Sequence, residues 1–390
     1  MTISRRKFLA KSAEFICLSS LLGVSSSLQA MENRTNEYEI FPIDYRPNPI
    51  LFSKQSPIVS IAKVNSKWSA SKGIEHAVAE AIDLIGGIQE VAKGKNRILL
   101  KPNLVNPNPS DTTKPGVIEA LAELMKSAGK EVSVGEAGAA SFRNIDSSIK
   151  GYVCRTKNTD TLIGIQDDIF KATGYVEMSK RAGVPLVNLH VGDMAKINIP
   201  DNFVFKSIYY HKAIADADLV CSVPMMKTHG LATVTLALKN IGIGAFPGVM
   251  YGTVRSKVHQ EGLKLEPTGT SAVVVDMVKA NKLGLCVIDA TTAMEGQGPS
   301  VNRGGHLIDM NLIIASTNAL AADMVAARIM GFEPNEIDTF NWAWKAGLNP
   351  STIDNIEVVG KKIGAVQKKF KRPRVIPYSV IADWYGPPCG

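Results

Sequence analysis

"RILLKPNLVNPNPSDTTKPGVIEALAELMKSAGKEVSVGEAG" runs from Arg97 to Gly138, and its reading decides the fold class. Arg97–Val105 is an apolar run that breaks into a polar turn, the pattern of a buried strand. Lys114–Gly129 repeats apolar residues at helical spacing, with Pro115 in its first turn and Gly129 at its end. Those two residues are start and stop signals for a helix. Glu131–Gly138 reads as a second strand entering a glycine-bearing loop. Strand, helix and strand in that order make a βαβ unit, which implies a parallel sheet.

The alternation extends in both directions. Gly73–Gly86 carries apolar residues at helical spacing and closes on Gly86–Gly87. Ala217–Met226 reads as a buried strand and "LATVTLALKNIG" (Leu231–Gly242) as a helix, followed by "GIGAFPG", a flexible loop with the composition of a lid. Thr270–Asn281 is a helix, Leu285–Met294 a strand, and "EGQGPSVNRGG" a loop. Asn311–Asn318, Ala319–Gly331 and Asp354–Gly360 then give strand, helix and strand. The expected architecture is α/β: a mainly parallel sheet flanked by helices in Rossmann-like layers. The chain divides into residues 1–30, an export signal; 31–57, an extension; 58–360, the α/β domain; and 361–390, a basic tail.

Hydrophobic content of 45% and charged content of 21% are globular values, which excludes a disordered or collagen-like chain. The formal charge of +8 sits at the ends: residues 1–30 net +3 and the run Lys361–Arg374 nets +7, so the rest nets −2. A near-neutral body does not track phosphates, and no nucleic-acid partner is expected. The tail is expected to be a solvated end.

"SRRKFLAK" (Ser4–Lys11), followed by "FICLSSLLGVSSSLQA", has the order of an export signal. Arg5 and Arg6, followed by Phe8 and Leu9, resemble the twin-arginine motif. The expectation is a periplasmic protein delivered by the twin-arginine translocase, with no permanent membrane span because the apolar run is short and serine-rich. Cys154, Cys221, Cys286 and Cys389 follow the signal, and none forms a C-x-x-C pair, so there is no iron–sulfur motif. A Cys154–Cys389 disulfide is left open.

In an open parallel sheet, ligands collect beyond the carboxyl ends of the strands. Lys101 and Asn103 end one predicted strand, Glu136 the next, Lys227 and His229 another; Asp289 and Glu295 flank the end of a fourth, Asn318 ends a fifth, and Asp323 lies on the following helix. His229 is the acid–base candidate, with Lys227 two residues earlier on the same side of an extended segment. Lys101, Lys227 and Lys239 supply positive charge for a small anionic molecule, and Asn240 follows Lys239 near the end of its predicted helix. Thr112 and Thr113 precede a helix whose free N–H groups could bind an anion. Asp289 and Glu295 suit acid and base roles, or, with Asp323, a divalent metal.

The blocks "LLKPNLV", "TTKPGVIEALAELMKSAGK", "VSVGEAG", "DADLVCSVPMMKTHGLATVTLALKN", "DATTAMEGQGPS" and "ASTNALAADMVAARIMGFEP" together resemble the family catalogued as domain of unknown function 362. The resemblance runs from about Ile58 to Gly360, with the K-P-N, K-T-H and E-G-x-G-P blocks in order. Some members carry a ferredoxin-like domain with cysteine ligands, which this chain lacks. The resemblance implies a fold and a site and supplies no reaction. Three functions stay open: an enzyme acting on a small anion, an envelope binding protein for a ligand or metal without catalysis, and a redox partner.

Overall fold

The structure, a computed structural model, describes residues 38–65, 69–141, 143–146, 152–377 and 385–388. Arg5, Arg6 and Cys389, and with them the export signal and the Cys154–Cys389 pairing, lie outside the described residues. Ten strands form the main sheet: β1 (Ile58–Lys63), β2 (Arg97–Pro102), β3 (Glu131–Glu136), β4 (Leu186–Asn188), β5 (Leu219–Val223), β6 (Met225–His229), β7 (Thr233–Thr235), β8 (Leu283–Gly296), β9 (Gly305–Ser316) and β10 (Glu357–Gly360). The order along the sheet is β10-β1-β9-β8-β5-β2-β3-β4, with β6 added beside β8 and β7 beside β6. β9 and β7 run against the rest and every other pairing is parallel.

Alternation along each strand divides the core in two. Ile98 and Leu100 of β2, with Cys221 and Val223 of β5, face helices α1 (Ala70–Asp83) and α2 (Pro115–Ser127). Leu99 and Val220 face the opposite layer, which contains α5 (Ala237–Gly242), α7 (Ser271–Lys279) and α8 (Ala319–Ile329). The sheet is therefore covered on both sides, which is why its central strands are continuous apolar runs. Helices α3 (Thr159–Ala172) and α4 (Tyr175–Ala182) extend the first layer, α6 (Ser256–Gly262) lies before α7, and α9 (Asp338–Lys345) packs on α7. Cys221 and Cys286 are buried free thiols.

Four local differences from the sequence reading matter to the site. Pro224 divides the predicted strand Ala217–Met226 into β5 and β6, since its ring has no N–H for the ladder. Its carbonyl accepts instead from Asp289 N at 2.8 Å. The predicted helix Leu231–Gly242 is a strand, β7, followed by the six-residue α5; valine and the threonines favour the pleated form. "GIGAFPG" is packed rather than exposed: Ile243, Ala245 and Phe246 are in the core, and Phe246 meets Tyr251 edge to face at 4.8 Å. Fourth, β9 pairs antiparallel with β8 as a long hairpin. Its carboxyl end, with Asn318, therefore lies at the other rim of the sheet.

The basic side chains from Lys361 to Arg374 are exposed, as a solvated end requires, but the backbone that carries them is ordered against the body. Residues 368–376 are held by backbone bonds, from Lys368 N to Ile329 O (2.8 Å), Gly296 N to Lys371 O (2.9 Å) and Ile376 N to Gly230 O (2.7 Å).

Helix α5 is too short to be stable alone. Asp323 of α8, fully buried, accepts from Ala237 N at 2.7 Å and Leu238 N at 2.8 Å, and so takes up the first unsatisfied donors of α5. Burial pushes this carboxyl up to about 8 against those two backbone donors. Replacing Asp323 with alanine orphans both N–H groups; urea unfolding should show a loss of roughly 2–3 kcal/mol, with partial recovery in Asp323→Asn, which keeps an acceptor.

Candidate functional site

The site is built where β2, β3 and β6 end. Leu99 and Lys101 share a face of β2, so the strand that buries Leu99 under α5 also sends Lys101 there. Lys101 is buried and donates to Glu136 Oε1 at 2.7 Å, the Pro102 carbonyl at 3.0 Å and Asn240 Oδ1 at 3.2 Å. Glu136, at the end of β3, also accepts from Ala137 N (2.8 Å) and from Leu104 N (2.7 Å). Asn240 donates to the Lys101 carbonyl at 2.9 Å and to Ser222 Oγ at 3.1 Å, which fixes its amide with Oδ1 towards the amine. Gly244 is required here: a Cβ would stand 2.7 Å from Lys101 Nζ and 2.2 Å from the Asn240 carbonyl. Burial lowers the Lys101 pKa, opposed by the Glu136 charge.

The β6–β7 pair supplies the second wall. Its register sets Lys227 opposite Thr235 and His229 opposite Thr233. With the side-chain period of two, these four residues leave one face, while Met226 and Val234 leave the other and join the core. Lys227 is fully buried and donates to the Asp111 carbonyl at 2.7 Å. Burial brings its pKa down to about 8, partly offset by the charges of Asp111 and Glu136. Thr235 is buried and its hydroxyl has no hydrogen-bond partner among the described residues.

Lys239 of α5 is half-buried. Desolvation, then the charges of Lys227 and Arg255, bring its pKa down to about 7. It is the one of the three lysines for which no hydrogen bond or ion pair forms among the described residues. Arg255 bonds to the carbonyl of Ala137 and to that of Gly244. Asp111 attracts Lys227 but bonds elsewhere, to Val301 N at 2.9 Å and Asn106 Nδ2 at 2.8 Å. Positive charge at this rim thus exceeds negative charge: Lys101, Lys227, Lys239 and Arg255 against Glu136 and Asp111.

His229 is nearly buried, and its Nδ1 accepts from Leu231 N at 2.9 Å. Desolvation, then Lys239 and Lys227, hold its pKa well below the usual imidazole range. A neutral ring that accepts at Nδ1 carries its proton on Nε2. His229 therefore presents an N–H donor, which suits an anion better than the base or metal-ligand role read from the sequence. His259 of α6 lies near enough to lower it further, and burial brings His259 itself to about 3. His190 bonds at both nitrogens, to Gly138 O (2.7 Å) and from Gly248 N (3.1 Å), and is structural.

The remaining predicted residues are placed differently. Thr113 donates to the Val223 carbonyl at 2.7 Å and accepts from Asn103 N at 3.0 Å; Thr112 donates to the Pro109 carbonyl at 3.1 Å. Both hold the loop before α2. The first donor of that helix region, Lys114 N, is met by Asp289 Oδ2 at 2.9 Å, so a protein carboxylate occupies the anion position. Asp289 Oδ1 accepts from Thr291 N and Oγ1. Asn103 Nδ2 lies 3.5 Å from Asn240 Oδ1, and its own Oδ1 is buried without a partner among the described residues. Glu295 stands six residues beyond Asp289 on β8, roughly 20 Å along an extended strand, and accepts from Lys371 N of the tail at 2.8 Å. Asp289, Glu295 and Asp323 are thus three separate backbone acceptors, and neither Asp289 nor Glu295 bonds to His229. Among the described residues no cluster of three His, Cys, Asp or Glu side chains stands ready for a metal ion.

Sequence reasoning missed Arg255, His259 and Thr235. Arg255 and His259 lie in a stretch without clear periodicity, and only tertiary folding brings them to the rim. Backbone strain marks the same place. Thr233, Val254 and Arg255 adopt φ of +62°, +50° and +52°, a left-handed conformation that is costly for β-branched residues and concentrates at binding sites.

Comparison with known proteins places this geometry in a family context. A family model described as Domain of unknown function (DUF362) matches residues 98–328. The "Thylakoid-associated protein sll1697" of Synechocystis sp. is 25% identical over 322 residues, 82% of this chain and 89% of its own length. The lactate racemase apoprotein from Thermoanaerobacterium thermosaccharolyticum is similar at 17% identity and a TM-score of 0.34, over 60% of this chain. The chain spans about half (51%) of that structure; so slight a likeness carries no argument.

The Lys101–Glu136 pair is a buried salt bridge, so each single removal strands a charge. Glu136→Gln should cost roughly 3–5 kcal/mol in denaturant unfolding, and Lys101→Met with Glu136→Gln should cost clearly less than the sum of the singles.

Proposed function

The chain belongs to the family described as Domain of unknown function (DUF362), and on that premise we propose that the rim at β2, β3 and β6 binds a small anionic molecule. One observation carries the reading: cationic groups outnumber carboxylates there, and Lys239 has no bonding partner among the described residues. Buried charge without a counter-charge is costly. A bound anion would remove that cost, with Lys227 and Lys239 giving charge, His229 Nε2–H and the Thr235 hydroxyl giving donors. The neutral histidine, with no carboxylate bonded to it among the described residues, favours recognition over acid–base chemistry by His229. A divalent cation has no ready cluster among the described residues, and the reading rests on the cations. We also propose delivery to the periplasm by the twin-arginine translocase, supported by the order of residues 1–30 with Arg5 and Arg6. Among the described residues no helix is long and apolar enough to cross a membrane.

Both lysines titrate lower in the folded protein than in the unfolded chain. The unfolded chain therefore binds more protons between about pH 7 and pH 10, and anion-free stability should rise with pH through that window. The penalty is fully present below the folded pKa. Phosphate or sulfate should raise the Tm most near pH 7 and progressively less above pH 8. Lys239→Met should flatten the pH slope, and alanine at both Lys227 and His229 should abolish the anion-induced shift; an unchanged shift in that double variant would overturn the binding reading. For export, lysine at both Arg5 and Arg6 should leave the protein in the cytoplasmic fraction, whereas unimpaired periplasmic recovery would exclude the twin-arginine route.

A further inference from the structure

The three lysines of the rim differ in what they bond, and that difference points to chemistry beyond recognition. Lys101 is held by a carboxylate, an amide oxygen and a carbonyl. Lys227 is held by the Asp111 carbonyl. Lys239 is held by neither kind of acceptor among the described residues, and it is half-buried, so a small molecule can reach it. Its helix is pinned at the start by Asp323, and the next residue, Asn240, is locked to Lys101 and Ser222. The backbone that carries the amine is therefore fixed, while the amine itself has no competing bond among the described residues.

We propose that Lys239 forms a reversible imine with a small anion that also carries an aldehyde or ketone group, the class that includes 2-oxo acids and phosphorylated aldehydes. This rests on the anion-binding reading, since Lys227 and Arg255 would hold the anionic end next to the amine. The balance is simple. The Nζ lone pair attacks the carbonyl carbon, the carbonyl oxygen takes up a proton, and the carbinolamine loses water. Amine and carbonyl become imine and water, with no oxidant, reductant or metal needed. Nucleophilic lysines require the neutral amine, and proximity to other cations is a known way to obtain it near neutrality. The groups facing Lys239 are cationic or neutral: Lys227, Arg255, and the uncharged rings of His229 and His259.

The test is reductive trapping on the full folded chain. Purified protein at pH 7 is incubated with limiting pyruvate, glyoxylate or glyceraldehyde 3-phosphate and sodium cyanoborohydride, and labelled lysines are located by peptide mass spectrometry. With at least one probe, Lys239 should be labelled about tenfold faster than exposed lysines such as Lys93 or Lys264, as expected for an amine about half neutral at this pH. Inorganic phosphate should suppress that labelling alone. Lys227→Met, which removes a cationic neighbour, should slow it severalfold at pH 7 and less at pH 9. Labelling spread evenly over surface lysines, or none at Lys239 with any of the three probes, would overturn the inference. If phosphate still stabilises the protein in that case, the binding reading stands without the imine.

Discussion

Everything at this site follows from an imbalance of charge in a place with little water. Four cations converge on the strand rim, and the two nearby carboxylates are already engaged, Glu136 by Lys101 and two backbone donors, Asp111 by Val301 and Asn106. In such surroundings an unpaired ammonium lowers its own pKa or gathers a counter-ion. Lys227 and Lys239 show the first response, and binding an anion would be the second.

The fold produces this imbalance by ordinary means. Period-two alternation sends Lys101 to the α5 side of β2 and puts Lys227, His229, Thr233 and Thr235 on one face of a short hairpin. The break at Pro224 is what lets β6 leave the β5 line and follow β8 beyond the rim. Two acids that look available in the sequence serve helices instead: Asp289 at the start of the α2 region, and Asp323 at the start of α5. Each accepts backbone donors at the start of its helix, and each thereby leaves the rim without its charge.

Much of the architecture was legible in residues Arg97–Gly138, because a βαβ unit constrains topology strongly. Lys101 and Lys227 were found by a general rule about strand ends, and Lys239 and Asn240 by their place near the end of the predicted helix that follows. The rule misled where direction was unknown: the antiparallel β9 carries Asn318 to the opposite rim, and the long β8–β9 hairpin carries Glu295 away to the tail. It was silent on Arg255 and His259, whose approach depends on a left-handed turn at Val254–Arg255 that no local pattern announces. The flexible loop read into "GIGAFPG" failed because Ile243 and Phe246 are core residues, and glycine at 244 answers the crowding around Lys101.

The most direct measurement is anomalous diffraction from crystals soaked in bromide. The account predicts a bromide peak bridging Lys227 and Lys239, with the His229 Nε2 edge turned towards it. A rim with no bromide, in which Lys239 Nζ instead bonds to a carboxylate or carbonyl of the protein, would contradict the central claim.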